Sequence, residues 1–510
     1  MVTPRVKRAR GIAVLIAVGS LLLAACTPPA PMLQPPAGST IDDSVPEALQ
    51  MFYDQDVTWE DCGGSFSCTS IEVPLDYADP TGDTIELAVK KHRAIEPDQR
   101  VSSLIINPGG PGGSGIEMVE SVSSYFSADL LRRFDVVGFD PRGVGESTAV
   151  RCVDSATLDE IYSTDFDVEE DAGFDAYVES SREYGDACLE KTGPLLEHLD
   201  TISAARDLDV LRAVVGDETL NYFGFSYGTF LGATYADLFP SRVGRLVLDG
   251  AMDPSLSYQQ VVEGQTTGFD RAYRAFVQDC QAGADCPLSG DVESGLDQTI
   301  ALLDQLADEP MDSGDPDRPV RDTDLVNAII ISLYNAGSWS TLKSALAAAI
   351  NSDDGGQLRF LSDYAMDRDE DGNYPDDAGA FQAIDCLDYP VELDRDAIRA
   401  EADRLEGVSD LFGPYLGYGE IGCATMPFQS TAVRQEIHAP TAAPIVVIGT
   451  TRDPATPYEW AESLAAQLDN GIFIGFDGDG HTAYGGGDCV GDAVDAFLLE
   501  GTLPQDGLSC

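Results

Sequence analysis

The chain has 510 residues, 43% hydrophobic and 23% charged, enough apolar material for one large domain with an insertion or for two smaller ones. Its 30 Lys and Arg against 88 Asp and Glu leave a formal charge of -58, a surface that repels nucleic acid and anionic lipid headgroups and excludes both as expected partners. The only long apolar run lies at the start, so nothing later in the sequence is expected to span a membrane.

That start is ordered as an export signal over residues 1–25. Arg5, Lys7, Arg8 and Arg10 precede the apolar run 11–23, which is short for a spanning helix and ends in small residues. Leu23-Ala24-Ala25-Cys26 resembles a bacterial lipobox, which implies cleavage before Cys26 and diacylglycerol on its sulfur. The membrane is then met only through a lipid anchor at Cys26, on the outer face; an ordinary cleaved signal and a secreted product are the alternative. Residues 26–50, rich in Pro and small side chains, read as a tether. Setting Cys26 aside, the 11 Cys leave an even set, as expected for disulfides in an exported chain. Spacing favours Cys62–Cys68 and Cys280–Cys286, with Cys152–Cys188, Cys386–Cys423 and Cys489–Cys510 as the next closest partners. Zinc is disfavoured, because no C-x-x-C pair occurs and the chain has only 4 His.

In chain order, residues 51–255 contain a series of strand-like runs. CTSIEVPLDY and TIELAVKKHRA flank a DPTGD turn, and SLIIN (103–107) enters the glycine-rich NPGGPGGSG. FDVVGFD (134–140) leads into PRGVGES, LNYFGFS (220–226) precedes a helix-like run, and RVGRLVLDG (242–250) follows. Strands alternating with helices predict βαβ units and a mostly parallel sheet. Residues 256–435 are helical in pattern and read as a cap inserted over the strands' C-terminal ends. Strands resume in 436–510 with APIVVIGT and GIFIGFDG, followed by a final helix.

The chemistry concentrates on strand ends. Gly224-Phe225-Ser226-Tyr227-Gly228 fits G-x-S-x-G, the sharp strand-to-helix turn that lifts a Ser hydroxyl clear of a sheet. Ser226 is the candidate nucleophile. Of the four histidines, His92 and His198 precede it and His438 stands in a linker before a strand. His481, on the loop after the last long strand, alone also respects the order Ser…Asp…His. Asp453, directly after the preceding strand, is the candidate to orient it, ahead of Asp477 and Asp479 on the loop of His481 itself. The oxyanion donors are expected from the backbone of Tyr227 and from Gly109 or Gly110 in the glycine loop. That loop lacks a phosphate-binding G-x-x-x-x-G-K-[ST] pattern, and prolines interrupt any dinucleotide fingerprint. These features together predict an α/β-hydrolase fold with a helical cap insertion.

NPGGPGGSG, FDVVGFDPRGVGES, FGFSYGT, VLDGAMDP, GTTRDPATP and GDGHTAYG, in this order, resemble the secreted tripeptidyl aminopeptidases of actinobacteria, α/β-hydrolases related to proline iminopeptidases. The resemblance runs from about Trp59 to Cys510 and includes AIDCLDYP of the cap. It implies a triad of Ser226, Asp453 and His481, an oxyanion hole from Gly110 and Tyr227, and release of short peptides from free N-termini through an acyl-enzyme. It implies no cofactor. Related envelope proteins are described as carboxylesterases as well as proteases, so a carboxylesterase on the same triad is the rival reading. A catalytically inactive binding lipoprotein is the third.

Asp385 and Asp388 in the cap and Glu146 after DPRGVG are candidates to hold a substrate's α-ammonium group. Asp367-Arg368-Asp369-Glu370-Asp371-Gly372-Asn373 begins like a calcium loop, but Ala378 stands where the bidentate Glu belongs and Pro375 interrupts it. It reads as an acidic turn, and no metal is expected.

Overall fold

The computed structural model describes residues 45–510, so the export signal, Cys26 and most of the tether lie outside the described residues. At the tether's end Glu47–Leu49 and Gln50–Tyr53 already form helical turns, so folded structure begins before residue 50, earlier than expected. The cause is Phe52, an apolar anchor buried in the main core.

Ten strands form one sheet: β1 (Glu60–Asp61), β2 (Phe66–Pro74), β3 (Thr84–His92), β4 (Ser102–Asn107), β5 (Phe134–Phe139), β6 (Leu220–Phe225), β7 (Val243–Asp249), β8 (Ile445–Arg452), β9 (Gly471–Asp479) and β10 (Leu508–Ser509). Their order is β1-β2-β3-β5-β4-β6-β7-β8-β9-β10. The first three run antiparallel to their neighbours, and β3 is also antiparallel to β5. From β5 to β10 every neighbouring pair is parallel. Strands covered on both faces need unbroken apolar runs, which is why SLIIN and IVVIGT are legible in the sequence. The two-residue β1 and β10 carry no pattern to read.

Strand β4 lies between β5 and β6, so the winding reverses there and opens a crevice beyond the carboxyl ends of β4 and β6. NPGGPGGSG follows β4 and Ser226 follows β6, so both motifs meet at that crevice.

Between β7 and β8 the chain is helical apart from an isolated bridge, Met311 with Val320. The helix Tyr258–Ala282 opens on a capping box of Ser257 and Gln260. With the helices Asp322–Leu333 and Trp339–Ser352 it shares a hydrophobic cluster built on Phe276, Ile329 and Leu346. The helix Ala380–Asp388 is attached differently, because Ala383, Ile384 and Leu387 pack into the main cluster with the sheet. Five disulfides join the pairs that spacing favoured. They mark an exported protein.

Candidate active site

Ser226 is held at φ 54° and ψ -124°, backbone that a side-chain-bearing residue adopts only where its surroundings over-determine it. Its N–H donates to the Asp249 carbonyl at 2.9 Å, and its own carbonyl accepts the N–H of Thr229 at 2.8 Å. The flanking glycines are steric necessities. A Cβ on Gly224 would lie 2.3 Å from the Gly228 carbonyl oxygen, and one on Gly228 would lie 2.8 Å from Asn107 Oδ1. The two glycines of G-x-S-x-G are therefore what lets β6 and the helix Tyr227–Leu238 approach so closely.

His481 follows β9, and its Nδ1 lies 2.9 and 3.0 Å from the two carboxylate oxygens of Asp453. Asp453 is fully buried, and its carboxylate also accepts the N–H groups of Ala455, Thr456 and Thr482 at 3.0, 2.9 and 3.1 Å. With both oxygens so engaged, it can turn neither away from the imidazole nor toward solvent. Asp477 and Asp479, the competing acids, are both paired with Arg452. Burial works against protonating His481, but the charge and hydrogen bond of Asp453, with the charge of Asp249, outweigh it and raise the imidazole above its ordinary value. Its Nε2 is buried without a hydrogen-bond partner among the described residues. The ring stands beside the support of the Ser226 turn: a Cβ on Gly250 would meet His481 Cε1 at 3.2 Å, and Gly250 follows the residue that receives the Ser226 N–H. His92, His198 and His438 lie elsewhere; His438 Nδ1, for instance, is bonded to the Gln467 carbonyl.

The glycine loop lies against Ser226. A Cβ on Gly109 would be 2.8 Å from that of Ser226 and 3.2 Å from the Tyr227 nitrogen. The Gly109 N–H donates to Asn107 Oδ1 at 2.9 Å and is therefore engaged within its own loop. A helix-opening N–H directly after a half-buried Ser hydroxyl, with a glycine loop packed against it, suits the negative charge that develops on an attacked carbonyl oxygen.

The sequence matches the alpha/beta hydrolase fold family over residues 103–488. It is 36% identical over 480 residues to serine protease Hip1 of Mycobacterium tuberculosis, covering 89% of this chain and 91% of that protein. It is 35% identical over 454 residues to carboxylesterase B of the same species, covering 87% and 86%. It is also 31% identical over 483 residues to the tripeptidyl aminopeptidase of Streptomyces coelicolor, covering 89% and 86%. The chain belongs to the α/β hydrolase family.

The hydrolase treats its three candidate ammonium-binding acids differently. Asp388 is 5% exposed and accepts both the N–H and the hydroxyl of Thr201, at 2.9 and 2.6 Å. Burial pushes its carboxyl up to about 7 in spite of those bonds. Thr201 also meets the Tyr227 hydroxyl, so Asp388 ties the helix Ala380–Asp388 to the residue after the nucleophile rather than facing a ligand. Glu146 is exposed; its N–H donates to Asp140 while its side chain lies at the surface. Asp385 differs from both. It lines a cavity of about 540 Å³ together with Tyr184, Tyr258, Phe381 and Gln382. No side-chain hydrogen bond or ion pair engages it among the described residues, and burial pushes its carboxyl up to about 6, partly offset by Arg434. The same helix touches the glycine loop, where a Cβ on Gly112 would lie 3.2 Å from the Phe381 nitrogen.

The acidic turn closes on itself: Asp369 accepts the Asn373 N–H at 2.7 Å, and Arg368 pairs with Asp159. Two residues beside the site went unrecognised in the sequence. Tyr334 ends a cap helix; its carbonyl accepts the His481 N–H at 2.9 Å and its ring meets the imidazole edge-on at 5.1 Å. Nothing local in the sequence announces that contact. Asp249 was legible in principle, as a carboxylate closing a buried strand just as Asp453 nearly does.

Proposed function

We propose that this hydrolase is an exported serine exopeptidase that releases short peptides, tripeptides in particular, from free N-termini. Ser226 Oγ attacks the scissile carbonyl while His481 Nε2 takes its proton, and Asp453 holds the Nδ1–H of the resulting imidazolium. The N–H groups of Gly110 and Tyr227 receive the oxyanion. On collapse the C–N bond breaks, the imidazolium returns the proton to the leaving amine, and a water activated by the same base hydrolyses the acyl-Ser226 ester.

The observation that favours a peptide with a free amine is Asp385. An unpaired carboxylate in a cavity, on a helix that also touches the glycine loop, suits an α-ammonium group. The protease and aminopeptidase names among the relatives support the same reading, and the carboxylesterase name supports the ester alternative. Cys26 is proposed to carry the lipid that keeps the enzyme on the outer face of the membrane; Cys26→Ala should then release it in soluble form. Replacing Ser226 with Ala should abolish turnover of a tripeptide arylamide and labelling by a fluorophosphonate while leaving the melting temperature in place. Turnover retained by that variant would overturn the assignment.

A further inference from the structure

Asp249, the last residue of β7, is fully buried behind the histidine loop. Its carboxylate accepts the Ala483 N–H, at 2.9 Å to one oxygen and 3.1 Å to the other, and the Tyr484 N–H at 2.7 Å. Its carbonyl accepts the Ser226 N–H at 2.9 Å. A single residue therefore grips both the loop that carries the base and the turn that carries the nucleophile.

The charged groups around it are few. The charges that act on it are those of His481, on the loop after β9 and two residues before Ala483, and of Asp453, just after β8. The Tyr484 hydroxyl donates to Asp495 at 2.7 Å, and no Lys or Arg pairs with Asp249 among the described residues. Two backbone N–H groups could be met by neutral acceptors. A carboxylate buried without a permanent counter-charge is costly, so its presence calls for a cation that appears at some stage of the reaction. Among the described residues, the group acting on it that becomes cationic is His481.

We propose that Asp249 is a positioning residue of the hydrolytic reaction: its charge supports the imidazolium of His481 alongside Asp453, and its hydrogen bonds fix the loop that aims the ring. The proposal rests on the assignment of Ser226, Asp453 and His481 as the reacting set. Burial, opposed by the Tyr484 and Ala483 N–H groups and by His481, pushes the Asp249 carboxyl up to about 6. Asp249 in turn contributes to the raised basicity of His481. Removing the negative charge of Asp249 should therefore make His481 less basic.

The test is the pH profile of kcat/KM for the full-length enzyme and Asp249→Asn on a free-amine tripeptide arylamide. The expected result is a kcat lower by roughly ten- to a hundredfold at little change in KM. The acid limb should also move down by about one pH unit, since a neighbouring negative charge has been removed from His481. A kcat loss with an unmoved acid limb would reduce Asp249 to a packing residue and overturn the proposal, as would an unchanged enzyme. Should Asp249→Asn not fold, Asp249→Ser carries the same expected shift. Failure of the underlying reading is seen separately, as turnover surviving in Ser226→Ala.

Discussion

Four buried or half-buried aspartates, two closing or following strands of the sheet at the Ser226 site and two on the helix Ala380–Asp388 that touches the glycine loop, differ in how many partners they have. Asp453 receives three backbone N–H groups and an imidazole, and Asp249 receives two N–H groups. On the helix, Asp388 has Thr201, whereas the side chain of Asp385 lines a cavity and has no hydrogen bond or ion pair among the described residues. A carboxylate whose oxygens are all engaged serves to hold other groups in place. One left without a hydrogen bond at a cavity wall bears a burial cost that Arg434 offsets only in part. Asp453, Asp249 and Asp388 thus hold other groups in place, and the recognition proposed above falls to Asp385 alone.

That division can be broken at each position. Asp453→Asn should lower kcat about ten-thousandfold, because the amide favours the wrong imidazole tautomer, while substrate binding persists; single-turnover acylation rates would read it. Asp385→Asn should lower kcat/KM on a free-amine peptide by roughly ten- to a hundredfold, the worth of one charge-assisted bond. The same variant should leave a short-chain ester unaffected. It also carries a stability signature. The folded-state carboxyl lies near 6 against an ordinary value of 3.8, so folding favours the protonated form and the cost of ionisation grows as pH rises through that interval. Asp385→Asn should therefore melt higher than the wild type at neutral pH and match it below the ordinary carboxylate range. A variant that melts no higher at neutral pH would show Asp385 to be already compensated. Asp388→Ala, by contrast, should cost about 1–3 kcal/mol by leaving the Thr201 groups unsatisfied. Its smaller effect on turnover should be equal for free and N-acetylated substrates, measurable as an unchanged ratio of their kcat/KM values.

The two regions were unequally legible for physical reasons. Strands β2 to β9 are long, buried on at least one face and bounded by turn chemistry, so apolar runs mark them. Ser226, Asp453 and His481 sit at strand ends, where order along the chain and spatial proximity coincide. Nucleophile and base are thereby distinguishable even among four His and many Asp. The cap offers no such frame. Asp385 and Asp388 are three residues apart on one short helix, and only their contacts, with a cavity in one case and with Thr201 in the other, separate them. Tyr334 reaches His481 through tertiary packing alone. Asp249 was passed over because in a chain of 88 acidic residues a single Asp has little weight until its burial is known.

The measurement that bears most directly on the account compares kcat/KM for a tripeptide arylamide with a free amine, its N-acetylated counterpart and a short-chain ester, each with wild type and Asp385→Asn. The account predicts that acetylation and Asp385→Asn each remove most of the activity on the peptide, that the two losses do not add, and that the ester is indifferent to the substitution. Equal turnover of the free and acetylated peptides, or an ester preferred over both, would contradict it and make the protein an esterase on the same triad.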